Sequence, residues 1–93
     1  MFTFHLGETV ICSVTVKNSA GTLVDPSTSM QIMIQKLSPF ANVLAATNMT
    51  KDSTGTYHYD WGTSAMDNNI YKIIYIATDG TRVSKQVNTV ALE

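Results

Sequence analysis

Cysteine occurs once in this 93-residue chain, proline twice, and charged residues make up only 14 % of it. Each scarcity closes off a class of protein. A single cysteine, Cys12, permits no intrachain disulfide and no cysteine-ligated metal cluster. Set in an alternating apolar segment, it reads as a small core residue. A reactive thiol would need exposure and a nearby cation, and neither is visible. The six cations, Lys17, Lys36, Lys51, Lys72, Arg82 and Lys85, are scattered singly under a net charge of -1. Nucleic-acid binding draws on clustered cations that displace phosphate counterions, so no nucleic-acid partner is expected. No apolar run approaches the roughly 20 residues of a membrane helix, and "MFTFHLGETV" lacks the basic start and long apolar stretch of a signal peptide. The expectation is a protein made in the cytoplasm and not inserted in a membrane. Leu92 and Glu93, at the very end, carry no weight in this reading.

What the chain has in abundance is β-branched side chains: Thr, Val and Ile account for 28 residues. These fit a pleated surface and lose rotamer freedom in a helix. The dominant period is two, and no segment sustains a 3.6-residue stripe. Strands are expected over residues 2–6, 8–17, 29–36, 43–50, 56–61, 70–78 and 82–91. In the second of these, Val10, Cys12, Val14 and Val16 share one face. "NSAG" (18–21), "SPFAN" (38–42), "KDSTG" (51–55) and "GTSAMDNN" (62–69) read as turns or loops. "TDGT" (78–81) carries an Asp-Gly hairpin signal. "VDPST" (24–28) can be only an edge or a connection, because Pro26 has no N–H to give. About seven short strands with turns every 8–12 residues predict an all-β sandwich in one domain, residues 1–93, with immunoglobulin-like topology; a small barrel is the alternative.

The densest cluster of reactive side chains is "KDSTGTYHYDW" (51–61). "DSTG" carries one residue more than the Asp-Thr-Gly loop of aspartic proteases, and those enzymes need two such carboxylates side by side. The stretch reads instead as a turn feeding a strand. Asp52 and Ser53 bond nearby backbone N–H groups, and Gly55 takes positive φ. Tyr57, Tyr59 and Trp61 alternate into the core, while Thr56, His58 and Asp60 point outward. The remaining aspartates sit in or beside turns, where they satisfy local donors. His5 and His58 show no metal-ligand spacing, and no calcium loop, nucleophile elbow or phosphate loop is present. No catalytic residue, metal ligand or cofactor is assigned, and the protein is expected not to be an enzyme.

"DNNIYKIIYIATDGT" resembles the last hairpin of immunoglobulin-like domains. The resemblance implies that Tyr71 is a tyrosine-corner residue and that Ile73 meets Cys12 or Val14 where antibody domains have a disulfide. Over most of the chain, "GETVICSVTVKNSAGTLVDPSTSMQIMI", "MTKDSTGTYHYDW" and "YKIIYIATDGT" resemble small immunoglobulin-like proteins encoded among tailed-phage structural genes. These share a Gly-x-Thr-Val opening, a "G-x-x-VDP" connection and a "K-D-x-T-G-x-Y" phrase that begins a strand. The resemblance implies a non-enzymatic virion protein, in the decoration, tail or head–tail region, that binds other virion proteins or itself. Secreted bacterial domains carry similar phrases. They imply the alternative, an extracellular or cell-surface module binding carbohydrate or a host protein.

Alternation also points to a binding face. If Tyr71, Ile73, Tyr75 and Ala77 face the core, Lys72, Ile74 and Ile76 face out, as do Gln31, Met33 and Gln35 on the third strand. In an immunoglobulin-like sandwich these strands are neighbours. Met33, Ile74 and Ile76 then form an apolar patch rimmed by Gln31, Gln35 and Lys72, a protein interface or self-association surface. Loop aromatics such as Phe40, and free edge strands open to strand addition, are further sites of contact.

Overall fold

The computed structural model describes residues 2–37 and 40–93. Its described residues form eight strands: β1 (Phe2–Phe4), β2 (Thr9–Thr15), β3 (Ser29–Leu37), β4 (Phe40–Asn48), β5 (Thr50–Ser53), β6 (Thr56–Gly62), β7 (Asn69–Asp79) and β8 (Arg82–Leu92). They make two sheets, ordered β1-β8-β7-β3-β4 and β2-β6-β5. The alternation does what the sequence requires. β2 buries Val10, Cys12 and Val14 and exposes the residues between them. β3 buries Met30, Ile32 and Ile34. Side chains from both sheets meet in one core with Tyr57, Trp61, Tyr71, Ile73, Tyr75, Val90 and Leu92. Trp61 meets Tyr71 edge-on, with ring centroids 5.3 Å apart, the arrangement that aromatic quadrupoles favour. Cys12 is free and buried, so no disulfide joins the sheets.

Three departures from expectation have local causes. First, Thr50–Ser53 is a strand rather than part of a turn: Thr50 and Lys51 pair with His58 and Tyr57, and after a register shift Ser53 pairs with Thr56. The chain changes sheets one residue earlier, at buried Met49, whose N–H donates to Met30 O. Second, β4 begins at Phe40, with Phe40, Ala41 and Asn42 paired to Leu37, Lys36 and Gln35. The rest of the expected "SPFAN" loop, Ser38 and Pro39, lies outside the described residues. Third, β1 runs parallel to β8, whereas every other strand pair is antiparallel. β1 and β2 lie in different sheets, so no hairpin joins them. Leu92, given no weight on sequence alone, is 2 % exposed and pairs with both Phe4 and Asn69.

The turns close with their own chemistry. Asn18 Oδ1 accepts from the N–H groups of Ala20 and Thr22. The β7–β8 hairpin pairs Asp79 with Arg82, so its two-residue loop is Gly80–Thr81. Gly80 has φ +63 and no non-glycine residue among those described is positive, which puts glycine at the first central position, as in a type II′ turn. Thr63, fully buried, donates to Glu8 O and accepts from Gly7 N–H, tying the β6 end to the start of β2.

Candidate functional site

Two sets of residues stand out: a cross-strand face on the larger sheet and a polar lock at one edge of the smaller one. On the larger sheet, register places Gln31 opposite Ile76, Met33 opposite Ile74, and Gln35 opposite Lys72. All six lie on the face turned away from the core. Val87 continues the central row, so Val87, Ile74 and Met33 run side by side across three strands. Polar residues flank that row. Gln31 Nε2 donates to Asn48 Oδ1, and Gln35 Nε2 donates to Asn42 Oδ1, at 3.2 and 3.0 Å.

Ile74 is nevertheless only 8 % exposed, and Met33 and Ile76 are half-buried. A residue at the middle of a five-stranded sheet has neighbours on every side of its own face. Alternation reveals the face but not this lateral cover. The more exposed apolar side chains on this face are Val83 and Val87, at 56 % and 51 %, both on β8. Phe40, at 64 %, stands at the start of β4.

The lock is built from two phrases far apart in sequence. Asp25, in the connection before β3, projects onto the β5–β6 turn. Its Oδ2 meets Lys51 Nζ at 2.7 Å, and its Oδ1 accepts from Gly55 N–H at 2.8 Å and Tyr57 O–H at 3.1 Å. Gly55 has φ +72, and a Cβ there would fall 2.8 Å from Val16 O. Its own carbonyl accepts from Val16 N–H. Only glycine fits where the turn presses against β2. The electrostatics agree. Hydrogen bonding to Lys51, then to Gly55, holds the Asp25 carboxyl below its ordinary range. The same contact raises the Lys51 ammonium. Burial, followed by the bond to Asp25, raises the Tyr57 phenol. Both oxygens of Asp25 are thus engaged in holding one strand connection against another.

Sequence reasoning assigned Asp25 to local turn donors and missed this long-range role. Pro26 was the available signal, since it keeps the connection out of the ladder and leaves Asp25 to anchor it. Asp52, expected to bond turn N–H groups, instead meets His58 across the strands at 2.6 Å. His58 Nε2 lies 4.0 Å from Asp60. Burial, and then the charge of Asp60, push the Cys12 thiol up to about 11, away from the thiolate form that nucleophilic chemistry needs. Tyr75, beside it, is pushed up to about 12, first by burial. Among the described residues no three His, Cys, Asp or Glu side chains converge as a metal site. Tyr71 O–H donates to Asp67 O at 2.9 Å and accepts from Asp67 N–H at 3.1 Å. Comparison with protein families, with curated proteins and with solved structures yields no match.

Proposed function

We propose that this chain is a non-enzymatic, immunoglobulin-like β-sandwich that serves as a structural or accessory protein of a phage virion, in its decoration, tail or head–tail region, by binding other proteins. The Asp25 lock is the observation that carries the reading. The "VDP" connection and the "KDSTGTY" phrase, which both bear the resemblance to phage proteins, are two halves of one contact. Their joint presence therefore has a physical reason. The strand order supports the fold half of the proposal. β2-β6-β5 corresponds to strands B-E-D, and β8-β7-β3-β4 to G-F-C-C′, with β1 beside G. The Tyr71 corner falls at the start of the F equivalent.

Binding is assigned to the outer face of β3, β7 and β8, where Met33, Ile74 and Ile76 are rimmed by Gln31, Gln35 and Lys72, and Val87 adds exposed apolar surface. The experiment is to purify phage particles on a density gradient and quantify the protein in them. A fixed stoichiometry is expected, and Val87→Glu protein with an unchanged circular dichroism spectrum is expected to lose its place on the particle. Absence of the wild-type protein from particles overturns the virion assignment. Full retention of Val87→Glu overturns the choice of face.

A further inference from the structure

The two sheets expose four edge strands, and three of them are blunted. β1 has three residues. β4 pairs with β3 through two register shifts. β5 has four residues, carries Lys51 and Asp52, and is bulged. β2 differs: seven residues, "TVICSVT", without charge or proline, in unbroken register with β6. Shortness, bulges, charge and proline are the devices that keep edges from pairing with other chains, and β2 has none of them. Its free hydrogen-bonding groups can be located. Val16 N–H donates to Gly55 O, so in an alternating antiparallel ladder Val10, Cys12 and Val14 bond towards β6. Thr9, Ile11, Ser13 and Thr15 then turn their N–H and C=O groups outward.

That edge borders a groove. Two cavities of about 530 and 270 Å³ lie end to end along it and share Tyr75. The first is lined by β2 and its extension from Val14 to Ser19, the second by Val10 to Ser13. β8 lines both, with β1 joining it in the second. Cys12 meets Tyr75 of β7, so β8 extends past β2 as a floor about 4.8 Å wide, widened by β1 only at the end where Phe2–Phe4 pairs with Val90–Leu92. A lone strand fits there. A second folded copy pairing through its own β2 would drive its larger sheet into the space of β8 and β1. The groove is also polarised. Its Phe2 end is apolar. Lys17 and Arg82 line the other end and make no ion pair among the described residues; Lys85, opposite Ile76, projects from the other face of β8. The acids there are Asp25, taken up by Lys51, and Asp79, which accepts from the Ser27 hydroxyl.

We propose that β2 and this groove take up a single extended segment of a partner protein by strand addition, with alternate apolar side chains on the floor and an acidic residue at the Lys17–Arg82 end. Main-chain bonds to Thr9, Ile11, Ser13 and Thr15 supply affinity, and the floor and the cations set register and direction. The inference stands on the fold and does not require the virion reading.

The test uses ¹⁵N-labelled protein and a nine-residue acetylated peptide of alternating valine and threonine ending in two aspartates. With saturating peptide, amide exchange at Thr9, Ile11, Ser13 and Thr15 is expected to slow at least tenfold while β4 and β5 are unchanged. Ser13→Pro removes an outward N–H and no ladder bond, as an edge strand tolerates. It is expected to abolish the protection while Ser13→Ala keeps it. Should Ser13→Pro not fold, the double variant Lys17→Glu, Arg82→Glu carries the test, with preference reversed towards a peptide ending in two lysines. No protection, protection at another edge, or equal binding of both peptides by the wild type overturns the proposal.

Discussion

β6 is flanked by two edges treated in opposite ways. On one side β5 is short, charged and bulged, and the turn that leads from it into β6 is clamped by Asp25 through Lys51, Gly55 and Tyr57. On the other side β2 is long, regular and uncharged, and nothing in the described residues pairs with its outer edge. The same central strand thus has one neighbour held by specific polar contacts and one held by apolar burial of Val10, Cys12 and Val14. Stability and availability for binding have been placed on different edges: the pinned one keeps the hairpin in register, and the open one keeps its backbone free.

Breaking the pinned edge is expected to have the larger effects. Gly55→Ala forces a side chain into positive φ and against Val16 O. A loss of about 2–4 kcal/mol is expected from strain and clash together, read from urea unfolding. Asp25→Asn comes next and has a pH signature. The folded Asp25 carboxyl lies below its usual 3.8 and the Lys51 ammonium above its usual 10.5. The pair's contribution is therefore present between those values. It fades as pH falls through the depressed Asp25 value or rises through the raised Lys51 value. The gap in urea midpoint between wild type and Asp25→Asn should accordingly be widest near neutrality and close below pH 3.8. A gap independent of pH would mean that Asp25 acts by shape alone. Tyr57→Phe removes one of the three donors to Asp25 and leaves the aromatic packing in place. Its midpoint should fall by less than that of Asp25→Asn, and the two losses should not add in the double variant. The open edge should scarcely respond. Ser13→Ala and Ile11→Thr, both outward on β2, are expected to stay within about 0.5 kcal/mol of wild type. A larger loss would show that this edge is structurally engaged after all.

The strands were legible because a half-buried sheet writes its burial into every second residue, as in "TVICSVT" and "YKIIYIA". The inward set Tyr71, Ile73 and Tyr75 and the outward set Lys72, Ile74 and Ile76 were both readable in that way. How exposed the outward set is was not readable. Ile74 is enclosed by Met33 and Val87, which come from strands distant in sequence. The lock escaped for a similar reason. "KDSTG" contains its own acid, and local turn chemistry names Asp52 as the acceptor, yet the acceptor is Asp25, thirty residues before Gly55.

By itself, the sequence determined the period, and with it the all-β class and the inward and outward faces of β2, β3 and β7; it marked the β7–β8 hairpin at Gly80 but ran the 38–42 and 51–55 turns into what are strands. It also determined that no disulfide would join the sheets, since there is one cysteine to make it. Tertiary structure alone decided which edges are closed and which is open. That depends on how many strands each sheet acquires, which strand lies over which, and where a connection such as Asp25–Pro26 comes to rest. A local pattern encodes the pleat; only the packing of distant segments decides which backbone groups are left without a partner.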